Sequence, residues 1–122
     1  MAGKQDEERM KDLLQQGKRE GMRAGWGENP TTMVVVDETQ KKEWVVPEGP
    51  CGFARVNIKP GTCLAARIAK KFFDAGKSYY GGVDIWISAH GQSYERKLAN
   101  AQAFAKVLQA AGIQAVADGR LD

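Results

Sequence analysis

Apolar positions along the chain change their spacing twice, and each change marks an element. Over residues 5–22, Met10, Leu13 and Leu14 recur at helical spacing within a charged segment, which predicts an amphipathic helix. Acids at its start and bases near its end suit the helix dipole. Gly17 and Gly21 each weaken it by about 1 kcal/mol relative to alanine, so it needs a surface to pack on. Gly25-Trp26-Gly27-Glu28-Asn29-Pro30 then reads as a turn or linker. Residues 33–36 and 44–46 are short β-branched runs around the polar segment 37–43, and predict a β-hairpin. Pro47-Glu48-Gly49-Pro50 breaks the chain there.

Beyond residue 50 the pattern is sharper. Residues 53–59 alternate, with Ala54, Val56 and Ile58 on one face and Phe53, Arg55, Asn57 and Lys59 on the other. Pro60-Gly61-Thr62 ends this strand and opens a helix with Thr62 at the N-cap. Its apolar stripe is Leu64, Ala65, Ile68, Ala69, Phe72 and Phe73; Arg67, Lys70, Lys71 and Asp74 form the wet side. Gly76 closes it, and residues 83–88 form a second alternating strand. His90-Gly91-Gln92-Ser93 opens the strongest helix, with Ser93 as N-cap, Leu98, Ala101, Phe104, Ala105, Leu108 and Ala111 on one face, and Gly112 as its stop. A short strand over 113–117 follows.

This order predicts an α+β two-layer sandwich: a helical arm and linker over residues 1–30, and a core over 31–122. The core comprises a hairpin at 33–47 and a β-α-β-α-β run at 52–117. Both core helices are expected on the sheet face that carries Val56, Ile58, Val83, Ile85 and Ile87. Right-handed crossover geometry makes the two longer core strands parallel if they share a sheet.

At 122 residues one core is all the chain can build. No apolar run reaches the ~18–20 residues of a membrane span, and the charged N-terminus lacks the apolar stretch of a signal peptide. A cytoplasmic setting follows as the expectation, a host cytoplasm or a virion if the protein is viral. Cys51 and Cys63 flank one strand, beyond disulfide reach at about 3.3 Å per residue, and are read as half-buried apolar groups. With one histidine in the chain they make no zinc site, and no metal or cofactor is implied.

Two near-motifs fail. Gly76-Lys77-Ser78 resembles the end of a phosphate-binding loop, but Lys71 stands where its first glycine belongs and a helix precedes it. Gly91-Gln92-Ser93-Tyr94-Glu95 approaches a nucleophile elbow, yet Glu95 replaces the closing glycine and no histidine follows. No catalytic set is assigned, and a non-enzymatic protein is expected.

Charge is uneven. Residues 51–122 hold ten Lys/Arg against five acids, whereas 29–50 are slightly acidic and 1–28 balanced. A basic core favours anionic partners. The leading expectation is nucleic-acid contact through Phe53, Arg55, Asn57, Lys59 and Trp86 on the helix-free sheet face, where rings beside cations suit base stacking and phosphate contact, supported by Arg67, Lys70 and Lys71. It depends on that face staying uncovered by the leading helix. A second expectation is a protein partner or self-association through residues 1–28. A third is nucleotide or phosphate binding where Gly61 and Thr62 meet His90, Gly91 and Ser93, should parallel strands bring both helix N-termini to one edge.

Gln92-Ser93-Tyr94-Glu95-Arg96-Lys97, Ala103-Phe104-Ala105-Lys106-Val107-Leu108, Ala111-Gly112-Ile113 and the terminus Gly119-Arg120-Leu121-Asp122 together carry a resemblance. In these runs the last third to half of the chain is similar to small uncharacterised proteins of tailed bacteriophages. The resemblance implies a viral or mobile-element origin and brings no catalytic residues with it.

Overall fold

The computed structural model describes residues 3–122; Met1 and Ala2, the start of the expected arm, lie outside the described residues. The elements are α1 (Lys4–Gly27), β1 (Met33–Asp37), β2 (Lys42–Val46), β3 (Gly52–Lys59), α2 (Leu64–Phe72), β4 (Gly76–Lys77), β5 (Val83–Trp86), α3 (Tyr94–Ala110) and β6 (Gln114–Leu121). Fold class is α+β as expected, with three helices and two antiparallel sheets among the described residues.

The main sheet has the order β4-β5-β3-β6, and every neighbouring pair is antiparallel. This corrects the expected parallel pairing of β3 and β5. The reason is β4, a strand of two residues hidden in Gly76-Lys77-Ser78. The crossover from β3 through α2 ends on β4, and a hairpin then returns β5 between them, so β3 and β5 run in opposite directions. The strand–helix–strand–strand–helix–strand order with this sheet arrangement is the split-βαβ, or ferredoxin-like, topology. The hairpin β1–β2 stands outside it as a separate two-stranded sheet.

Ala54, Val56, Ile58, Val83, Ile85 and Ile87 point to the helix side and are buried against Ile68 and Ala69 of α2 and Phe104 and Leu108 of α3. Three local expectations shift. The α2 N-cap is Cys63, whose Sγ accepts from the Ala66 amide, rather than Thr62. The helix ends at Phe72, with Asp74 rather than Gly76 taking the positive φ beyond it. Phe72 is exposed, and Lys11 and Lys71 lie over its ring. Ser93 and Gly112 cap and stop α3 as read. Cys51 is exposed and Cys63 half-buried, and neither is bonded. The last strand runs to Leu121, further than expected.

The largest revision concerns α1. It continues into the expected linker as far as Gly27 and packs on α3 and α2, so it lies on the helix side of the sheet. Leu14 is fully buried in the common core. Gly17, Gly21 and Gly25, four residues apart, form one seam along α1. A Cβ on Gly17 would stand 2.6 Å from the Phe104 ring, and one on Gly21 2.9 Å from the Asn100 carbonyl oxygen. One on Gly25 would overlap the His90 imidazole. The glycines that lower intrinsic helicity are thus what allows close approach to α3. Arg96 of α3 closes the junction, its Nη1 donating to the Gly25 and Trp26 carbonyls at the C-terminus of α1.

Candidate nucleic-acid interface

With α1 on the helix side, the other face of the sheet has no helix over it among the described residues. β3 runs through its centre and presents Phe53, Arg55, Asn57 and Lys59, as the alternation predicts. Register sets Trp86 beside Arg55 and Asp84 beside Asn57 on one side. On the other side Arg120, Asp118 and Val116 face Phe53, Arg55 and Asn57. The β4–β5 turn overhangs this floor with Tyr79 and Tyr80. All of these side chains except the buried Asp84 line a groove of about 760 Å³.

Rings and cations are interleaved here. Trp86 is 52% exposed, Tyr80 67% and Phe53 37%. The Arg55 guanidinium lies 5.3 Å from the Tyr80 ring centre and 5.4 Å from that of Trp86. Its Nη2 donates to Asp118 at 2.7 Å, and its Nε faces Asp84 Oδ1 at 3.5 Å without a closer partner. Asn57 Nδ2 donates to Asp84 Oδ1 at 2.8 Å and to the Gly81 carbonyl at 2.9 Å, pinning the tyrosine turn to the sheet. Arg120 and Lys97 approach the Phe53 ring, at 5.9 and 5.5 Å. A fixed polar floor therefore supports rings whose faces and edges remain accessible.

Not every expected residue belongs. Arg67, Lys70 and Lys71 are exposed on α2, on the helix side of the sheet, and do not line this groove. Tyr79, Tyr80, Asp84, Asp118 and Arg120 were missed. Asp84 has the same parity as Trp86 and was legible as its neighbour. The tyrosines were hidden because their turn has meaning only once β4 is seen.

The joint anion site is not assembled. Antiparallel pairing places the α2 start, after Lys59, at the Val83 end of β5, whereas the α3 start follows the Trp86 end. Gly61 instead lies against Gly82. Ser93 Oγ donates to the Glu48 carbonyl and accepts from the Arg96 amide. His90 is buried at the end of α1, edge-on to Trp26 with ring centres 4.7 Å apart. Asn100 Nδ2 lies 2.9 Å from its Nε2. With the amide donating there, the ring is neutral with its proton on Nδ1, which is buried without a partner. Among the described residues no cluster of His, Cys, Asp or Glu is arranged to hold a metal ion, and no helix is long and apolar enough to cross a membrane. No protein-family model matches the chain, and neither a curated protein nor a solved structure matches it significantly.

The imidazole carries a stability prediction. Burial first, then the charges of Arg96 and Lys97, hold its pKa below the ordinary 6.5, against a weaker opposing pull from Glu48. Below pH 6.5 the unfolded chain takes up a proton that the folded chain resists, so stability falls as pH drops through that value towards the folded pKa. The slope is at most about 1.4 kcal/mol per pH unit. Chemical denaturation at a series of pH values between 5 and 8 should reveal this decline. His90→Asn, which tolerates the positive φ of this position, should flatten it.

Proposed function

We propose that this chain is a non-enzymatic binding protein that holds single-stranded nucleic acid on the open face of its four-stranded sheet. The observation that carries the reading is the uncovered groove in which Tyr80 and Trp86 flank Arg55, with Phe53 two residues away on the same face of β3. Unpaired bases offer π-faces to such rings, whereas the bases of a duplex are already stacked on each other. The same sheet order supports stacked bases in RRM modules, an analogy of fold that adds to the chemistry of the site and does not replace it.

Electrostatics set the expected character of binding. Arg55 is held by Asp84 and Asp118, which leaves Lys59 and Arg120 as the groove cations without a carboxylate partner among the described residues. Two phosphate contacts predict a shallow salt dependence, with log K against log salt falling at a slope of about −1.4 for a single strand. A salt titration with single-stranded DNA and RNA of about eight nucleotides, and with duplexes of the same sequence, tests this. Preference for single strands with that slope is expected. Equal binding of the duplex with a slope steeper than about −4 would point to sequence-independent phosphate contact elsewhere on the molecule.

A further inference from the structure

The β1–β2 hairpin is apolar, yet among the described residues most of its apolar side chains are uncovered, Met33 and Val46 alone being half-buried. Val34, Val36 and Val45 share one of its faces, and Met33, Val35, Trp44 and Val46 share the other. Val34, Val35, Val36, Trp44 and Val45 are all exposed. No other element packs substantially against its strands. Its root, by contrast, is fixed. Glu95 accepts from the Thr31 amide, Ser93 Oγ donates to the Glu48 carbonyl, and Arg96 Nε donates to Glu48 at 2.6 Å. Gly49, at φ 75°, turns against the Thr31 carbonyl. At the tip, Asp37 Oδ1 accepts from the Thr39 and Gln40 amides. The turn is thus set and the base anchored, while the blade between them is bare.

An isolated two-stranded ribbon is marginal in water, and three or more strands are needed for a stable sheet. Edge strands are ordinarily guarded by lysine, proline or a bulge; Met33-Val34-Val35-Val36 has none of these. Charge narrows the occupant. The hairpin holds Asp37, Glu38 and Glu43 against Lys41 and Lys42, so a polyanion gains nothing by approaching it. The β1 edge is also self-complementary. Antiparallel pairing about a two-fold axis through Val35 sets Val34 opposite Val36 of a second copy and sends the two acidic tips to opposite ends.

We propose that β1 pairs with β1 of a second copy of this chain, completing a four-stranded intermolecular sheet from two hairpins. This is separate from the nucleic-acid groove, which lies on β3, β5 and β6. Sedimentation velocity of the full chain over a wide concentration range should show a reversible monomer–dimer equilibrium. Val35→Lys places two lysines directly opposite each other on the axis and should raise the half-dimerisation concentration by roughly 2- to 5-fold, as expected for like charges facing across paired strands. Its far-UV circular dichroism should match the parent, because Val35 is exposed in the single chain. In a Cys51→Ser background, Val35→Cys should give a disulfide-linked dimer on mild oxidation and Val45→Cys much less of one. A chain that sediments as a monomer at every concentration, or a dimer that Val35→Lys leaves unchanged, overturns the proposal. Trp86→Ala should leave the equilibrium untouched, so failure of this pairing and failure of the nucleic-acid reading are separately visible.

Discussion

Gly21→Ala is expected to destabilise the protein by about 1–3 kcal/mol, although alanine is the better helix former by about 1 kcal/mol. Position 21 lies in the interior of α1, so propensity alone predicts a gain. Close packing reverses the sign: a methyl group there meets the Asn100 backbone carbonyl at 2.9 Å as well as the Asn100 side chain. Backbone does not step aside as the end of a flexible side chain does, so α1 must lift from α3 or shift along it. Gly21→Leu enlarges the same conflict and is expected to detach the helix, exposing Leu14 and Phe104. Gly27→Ala supplies the control, since nothing lies within 4 Å of its added Cβ. Urea unfolding of the three variants measures the contrast. A stabilised Gly21→Ala protein would show that α1 does not rest on α3 through this seam.

Trp86→Ala is expected to weaken single-strand binding by about 5- to 150-fold, the equivalent of 1–3 kcal/mol for one stacked base. Half of this side chain is exposed, so truncation removes the stacking surface while sparing the core. Tyr80→Ala should act in the same direction. The two rings flank one guanidinium, so the double variant should depart from the sum of the single effects. Arg67→Ala with Lys70→Ala should change affinity little, because α2 lies across the sheet from the groove. Fluorescence anisotropy of a labelled oligonucleotide at low salt reads all four. A larger loss from the α2 pair than from Trp86→Ala would move the interface to the helix side.

What the sequence discloses follows from the range of each physical signal. Alternation over 53–59 and 83–88 is local, and it assigned Phe53, Arg55, Asn57, Lys59 and Trp86 to one sheet face. Capping chemistry is local too, and it located the start and end of α3 at Ser93 and Gly112. Strand direction is not local. It turned on β4, whose two residues carry no period at all, and the missing strand reversed β5 and dispersed the expected anion site. The seam in α1 misled in another way. A glycine gives the same sequence signal whether it loosens a helix or admits a neighbour, and only the position of α3 separates the two. Asp84 and Asp118 change the electrostatics of the groove through cross-strand register, which the alternation of a single strand does not contain.

Chemical-shift mapping on isotopically labelled protein is the most direct measurement of where a strand binds. Titration with a single-stranded octanucleotide at low salt should perturb Phe53, Arg55, Tyr80, Trp86 and Arg120 together, leaving α1 and the outer side of α2 still. Shifts confined to Arg67, Lys70 and Lys71, or none at all with oligonucleotide in large excess, would contradict binding on the open sheet.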